Sequence, residues 1–195
     1  MLEPVLKIGA VVWHADGKEP QLLIVQPHPK REGETPPFVL PRGTRQYSTG
    51  EGEAITWHDA RDREVGQRHA SRLEPFTRGL ARELAEEAGI DGAMLSRAKV
   101  SRIGPRPFTS RSKGVYPVYW FAVQLDPVDA RGLESAPLPQ DALAVRWVSR
   151  ATLEAMAADG TFSSGYLPIM AELSDRVTKN AKKTDGLHKS LTFRR

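Results

Sequence analysis

Arg82-Glu83-Leu84-Ala85-Glu86-Glu87-Ala88-Gly89-Ile90 is the stretch on which the reading of this chain turns. At about 100° per residue, Leu84 and Ala88 align with Leu80 one turn earlier, with Ala81 and Ala85 beside them, and form one apolar face. Glu83, Glu86 and Glu87 fall in a neighbouring arc about 100° wide, because spacings of three and four bring helical side chains together. The pattern predicts a helix over 75–88, with Pro75 in its first turn and Gly89 as its C-terminal cap. Three like charges on one arc repel, each adjacent pair costing roughly a few tenths of a kcal/mol. Two arrangements offset that repulsion. One is a solvated acidic face with Arg82–Glu86 as an i,i+4 ion pair. The other is a hard divalent cation, Mg²⁺ or Mn²⁺, which takes carboxylate oxygens, bridges phosphates and activates water.

The residues on either side separate the two. Glu74 lies seven intervening residues before Arg82. Glu74, Arg82, Glu83, Leu84, Glu86, Glu87, Gly89 and Ile90 match, in identity and spacing, the second half of the Nudix box, G-x5-E-x7-R-E-U-x-E-E-x-G-U, where U is aliphatic. The chain therefore resembles the Nudix hydrolase family. One position departs: the box glycine belongs six residues before Glu74, where this chain has Arg68. Leu40-Pro41-Arg42-Gly43 resembles the Leu-Pro-x-Gly that introduces the box. Gly43 stands 31 residues before Glu74 instead of six, so the box is split by an insertion of 25 residues at about 44–68. Residues 44–73 carry five basic and five acidic residues and scattered apolar ones. They read as an inserted loop with a short helix around 53–64, in which Tyr47, Trp57, Arg45 and Arg61 could close over a substrate as a lid.

The resemblance implies a hydrolase of nucleoside diphosphates linked to another moiety, in which water attacks one phosphorus of the pyrophosphate with Mg²⁺ or Mn²⁺ as cofactor. By position it implies that Glu83, Glu86 and Glu87 hold metal or orient the water, and that Gly43 offers its carbonyl to the metal. It also implies that Arg82 holds a glutamate in place and that Glu74 braces the loop–helix junction through Arg82. The general base is a box glutamate or a later acid, and Asp141 is the candidate. The alternative is a catalytically silent module that binds a nucleotide or a protein partner. The intact glutamate set argues for the enzyme.

Substrate cues lie outside the box and point in different directions. Pro105, fifteen residues after Ile90, resembles the ADP-ribose pyrophosphatase subgroup. Pro105-Arg106-Pro107-Phe108 faintly resembles the NADH pyrophosphatase signature, and also reads as a Pro-rich loop. Leu-Pro-Arg-Gly resembles enzymes acting on dinucleoside polyphosphates and diphosphoinositol polyphosphates. Arg42, Arg106, Arg111 and Lys113 are candidate phosphate binders, and Phe108 and Tyr119 are candidates to stack on a base. His14, His28, His58, His69 and His188 show no metal-ligand spacing.

Leu6, Ile8, Ala10 and Val12 alternate as a half-buried strand, and Gln21 to Gln26 predicts its hairpin partner. Val100–Ile103, Val115–Leu125 and Ala144–Val148 predict strands, and Ala151–Ala158 and Leu167–Thr178 helices. Mixed strands and helices predict an α/β (α+β) sandwich, a mixed sheet between helices, instead of a doubly wound fold. The resemblance covers most of residues 5–158, so we expect one Nudix-like domain over 1–158, then a C-terminal helix and basic tail over 159–195.

At 195 residues, 39% hydrophobic and 27% charged, the chain can bury a full core. It has no cysteine, which excludes disulfides, thiolate nucleophiles and Cys-based metal sites. The net charge of +4 belongs to the tail. Residues 176–195 carry +6, seven Lys/Arg against Asp185, and the rest of the chain carries −2. That argues against a nucleic-acid footprint spread over the domain. Val5 to Trp13 is too short for a membrane span and lacks a preceding basic region. The expectation is a cytoplasmic protein acting on a small nucleotide diphosphate derivative, with a homodimer left open.

Overall fold

The computed structural model describes residues 7–16, 19–48, 54–56, 72–110 and 114–173. Arg111, Lys113, Trp57, Arg61 and the tail from 174 onward lie outside the described residues.

Strands β1 (Lys7–His14) and β2 (Gln21–Pro27) form the expected antiparallel hairpin. A short strand, β3 (Arg42–Thr44), pairs antiparallel with the start of β1, Ile8 opposite Gly43. The chain then makes a small three-stranded sheet from β4 (Gln46–Ser48), β5 (Ala54–Thr56) and β6 (Arg72–Leu73). The short helix expected around 53–64 is corrected at Ala54–Thr56, where pairing to β4 fixes a strand. No local periodicity announces that pairing.

Helix α1 (Phe76–Ala88) carries the glutamates; Pro75 stands one position ahead of it and Gly89 closes it in the left-handed conformation, φ 70°. Two short helices were not anticipated, α2 (Gly92–Arg97) and α3 (Pro127–Ser135). Each is capped by an aspartate: Asp91 accepts from the Met94 N–H and Asp126 from the Val128 N–H. Strands β7 (Lys99–Ser110) and β8 (Gly114–Gln124) form a long antiparallel arm. Strand β9 (Ala142–Ser149) leads into α4 (Arg150–Asp159), and residues 167–173 are helical again.

The main sheet runs β7-β8-β1-β2-β9, with β1 and β8 parallel and the other neighbours antiparallel. Its central strands are buried on both faces, and alternate residues go to opposite sides. Val11, Leu22, Ile24, Val118, Trp120 and Ala122 pack on one face against Leu153 of α4 and Ile169, Met170 and Leu173. Ala10, Val12, Leu23, Val25, Phe121 and Val123 pack on the other against Leu80, Leu84 and Ala88 of α1 and Leu133 of α3. The mixed sheet between helices is thus the architecture present. Each fully buried Leu or Val contributes about 1.5–3 kcal/mol, so α1 is anchored by the face opposite its charges.

Two sequence expectations shift. Pro105-Arg106-Pro107-Phe108 is not a loop but the middle of β7. Among the described residues β7 pairs only with β8, and an edge strand tolerates prolines that a central one would not. The core also runs through the boundary drawn at 158: Phe162, Tyr166, Ile169, Met170 and Leu173 belong to the same cluster as β1 and β8.

Candidate active site

The insertion is closed at its root, and that closure assembles the site. Gln46 and Glu74 exchange bonds: the Glu74 N–H donates to the Gln46 carbonyl, and the Gln46 N–H to Glu74 Oε1, both at 2.8 Å. Arg45 is buried, donates from Nε to the Glu74 carbonyl at 3.0 Å, and lies with Cζ 3.8 Å over the Phe76 ring. Phe76 in turn stacks on Tyr119 at 4.1 Å. Arg45, Phe76 and Tyr119 therefore form a three-layer stack at the start of α1. Thr44 and Glu74, on opposite sides of the insertion, are both bonded by one arginine.

That arginine is Arg82. Its guanidinium donates to Glu74 Oε1 at 2.9 Å, to the Thr44 carbonyl at 2.7 Å and to Glu86 Oε2 at 2.9 Å, and it lies 2.9 Å from Glu83 Oε1. Burial opposes its charge, but the bond to Glu74 and the charges of Glu83 and Glu74 outweigh burial and raise its pKa. Much of the repulsion inherent in three glutamates on one arc is thus offset by a single cation.

Backbone N–H groups hold two of the three carboxylates. The Thr44 N–H donates to Glu83 Oε1 at 3.0 Å and the Arg42 N–H to Glu87 Oε2 at 2.8 Å. Gly43 between them has no room for a side chain: a Cβ there would sit 1.7 Å from Glu83 Cδ. The missing side chain is what lets β3 lie against α1. Glu83 is buried, and burial pushes its pKa up, with Arg82 opposing. Glu87 is half-buried, and burial pushes its carboxyl to about 8, opposed by the Arg42 N–H and assisted by the charges of Glu83 and Asp141. Glu87 therefore does not face open water, as a purely solvated acidic arc would require. Asp141 is exposed, and its backbone N–H reaches the Glu86 carbonyl at 3.4 Å.

Among the described residues no three His, Asp or Glu side chains converge closely enough to enclose a metal by themselves. Mg²⁺ does not require such a cage, because it commonly takes one or two carboxylates and completes its octahedron with water and substrate phosphate. Glu83 and Glu87, hard oxygen donors held by backbone N–H groups and raised in pKa by burial, fit such an ion.

The other candidates are dispersed. Arg106 makes two bonds of 2.7 Å to Glu172. Phe108 is buried on one face of the sheet, while Tyr119 packs with the cluster on the other, so the two rings do not share a pocket. The Arg42 guanidinium lies in an aromatic cage, with Cζ 4.4 Å from the Phe108 centroid, 5.6 Å from Tyr166 and 5.9 Å from Tyr116. Arg45, expected in a lid over the substrate, is instead buried against the Glu74 carbonyl, and Tyr116 and Tyr166 were not singled out by the sequence. Arg45 and Tyr116 each stood close to a motif, but Tyr166 lies beyond the segment that carried the resemblance.

No protein-family model and no curated protein matches the chain. Solved structures do. The Nudix domain of Shewanella oneidensis NrtR, complexed with ADP ribose, superposes with a TM-score of 0.52 at 16% identity, over 91% of this chain and 90% of that one. A Nudix hydrolase from Nitrosomonas europaea gives 0.52 at 18% identity, over 90% of each chain. A structure of Shewanella oneidensis NrtR gives 0.57 at 16% identity, and this chain covers 65% of that chain. The chain has the Nudix fold. Of the box residues recognised in the sequence, Arg82 to Glu87 sit on α1, Glu74 just before it, Gly89 and Ile90 just after it, and Gly43 on β3. Among the described residues no helix is long and apolar enough to cross a membrane.

Proposed function

We propose that the chain is a divalent-metal-dependent hydrolase that cleaves the pyrophosphate bond of a nucleoside diphosphate linked to another moiety, with an ADP-ribose-like compound as the first choice of substrate. The observation that carries this reading is the rejoined box. Despite the insertion, Gly43 lies against Glu83, and the N–H groups on either side of it hold Glu83 and Glu87. A solvated acidic face has no use for that arrangement. The Nudix domain crystallised with ADP ribose supports the choice of substrate.

Glu83, Glu86 and Glu87, with the Gly43 carbonyl, would hold Mg²⁺ or Mn²⁺. When bound, the ion supplies neutralisation of phosphate charge and a more acidic water. The chain's own residues do the rest. Arg82 and Glu74 keep the loop and the helix in register. Asp141, tied by its backbone to the end of α1, takes the proton of the attacking water. The water oxygen bonds to one phosphorus, the bridging P–O bond breaks, and the bridging oxygen leaves on the other phosphate.

The test is a panel of nucleoside diphosphate derivatives, including ADP-ribose, NADH and dinucleoside polyphosphates, with Mg²⁺ or Mn²⁺. Hydrolysis of one class well above the rest is expected. Folded protein that binds a member of the panel and hydrolyses none would favour the silent binding module.

A further inference from the structure

Strand β3 is three residues long and lies off the main strand order, paired among the described residues only to the start of β1. Such a segment needs an anchor beyond its ladder if it is to hold two carboxylates in place. Arg42 supplies one. Its backbone N–H donates to Glu87 Oε2 at 2.8 Å, and its guanidinium, whose charge also favours that carboxylate, enters an aromatic cage. There the guanidinium lies over Phe108 and beside Tyr166, and Nη1 donates to the Tyr116 hydroxyl. The rings also touch one another, Phe108 to Tyr166 at 4.8 Å and Phe108 to Tyr116 at 5.6 Å. They come from three elements: β7, β8 and the single turn Ser164–Tyr166.

We propose that Arg42 is a positioning residue: the aromatic cage of Phe108, Tyr116 and Tyr166 locks its guanidinium, and the locked residue fixes the Glu87 carboxylate through its backbone N–H. The inference rests on the reading that Glu87 serves metal-dependent hydrolysis. It gives the segment after residue 158 a part in the site, because Tyr166 is fully buried against both Phe108 and Phe162. It also gives Arg42 a different task from phosphate binding. A desolvated guanidinium over aromatic faces gains about 2 kcal/mol or more, which favours retention in the cage over release to a ligand. Arginine is required because its planar fork can stack and donate at once, whereas a lysine ammonium has no face to stack.

The test compares the full chain with Arg42→Met, Arg42→Lys and Tyr116→Phe by three readouts. These are hydrogen exchange of the residue-42 amide without metal, affinity for Mn²⁺ alone by electron paramagnetic resonance, and kcat and KM on ADP-ribose. Tyr116→Phe removes one hydroxyl and keeps the ring. Losing that bond should speed amide exchange and weaken Mn²⁺ binding by about fivefold each, with kcat reduced and KM unchanged. Arg42→Met should do the same more strongly, and Arg42→Lys should fail to rescue it. If Arg42 binds phosphate instead, KM rises, Mn²⁺ affinity and amide exchange hold, and lysine rescues; that pattern overturns the proposal. Should Arg42→Met fail to fold, unchanged amide exchange in Tyr116→Phe overturns it alone. A wild-type chain that neither binds Mn²⁺ nor turns over substrate would retire the hydrolase reading. Faster amide exchange in Tyr116→Phe would still support the cage.

Discussion

Helix α1 and the β7–β8 arm both carry charged and aromatic residues, yet they organise them in opposite ways. Around α1, Arg82 gathers Glu74, Glu83 and Glu86, and two backbone N–H groups complete the set. Everything points to one place. On the arm, the Arg106 guanidinium is engaged by Glu172, Phe108 packs on one face of the sheet and Tyr119 on the other. The difference follows from geometry. A helix collects residues three and four apart on one side, whereas a strand divides its neighbours between two faces. A short motif on a helix therefore specifies a site, and a short motif on a hairpin specifies a register.

Variants can break this contrast. The largest effect is expected from Gly43→Ala. An added Cβ would lie 1.7 Å from Glu83 Cδ, inside any allowed contact, so β3 or the carboxylate must move. Overpacking of this kind costs about 1–3 kcal/mol, and displacement of Glu83 should remove hydrolysis almost entirely. Denaturant unfolding and initial rates check both parts. Full activity in Gly43→Ala would mean that close approach of β3 to α1 is not what makes the site.

A smaller effect is expected from Glu74→Gln. Glu74 is buried and accepts from both the Gln46 N–H and Arg82. The amide keeps the shape but loses charge against Arg82, which should cost about 1–3 kcal/mol. Partners that orient a site at one remove typically change activity by roughly 10- to 100-fold. Equal stability and activity would make the clasp at the root of the insertion incidental.

The smallest effect is expected on the arm. Arg106→Ala and Glu172→Ala remove a partly exposed pair, and exposed pairs add little to stability. KM for the substrate should not change. A raised KM would sharpen the comparison in the other direction, by showing that the Arg106–Glu172 pair opens to admit phosphate.

These contrasts also explain what was legible in the sequence. Glu83, Glu86 and Glu87 were readable as one arc because helical spacing brings them together, whereas Glu74, which lies before α1, and its link to Arg82 came from the resemblance to the Nudix box. Gly43 was readable because Leu-Pro-Arg-Gly is a local pattern. The Arg42 and Thr44 N–H donors were not, since a backbone group leaves no mark in a sequence. The strand at Ala54–Thr56 was hidden because its pairing with Gln46–Ser48 is not local. Helices α2 and α3 are too short for a periodic pattern, though Asp91 and Asp126-Pro127 were cap signals that could have found them. Most of the arm was read as strand, but Pro105–Phe108 was taken for a loop because prolines argue against strands, and that rule relaxes at a sheet edge.

On the proposed function, the carboxylates held between α1 and β3 carry out metal-dependent cleavage of a pyrophosphate bond. Phosphorus NMR of ADP-ribose, incubated with the wild-type chain and with Glu87→Gln in Mg²⁺ and in EDTA, tests it most directly. We predict that the wild-type chain in Mg²⁺ converts the two pyrophosphate resonances into two monophosphate resonances. EDTA or Glu87→Gln should slow that conversion by about a hundredfold or more, with the variant still folded because a neutral amide replaces a half-buried carboxylate. Turnover that persists undiminished in EDTA, or in Glu87→Gln, would contradict the account.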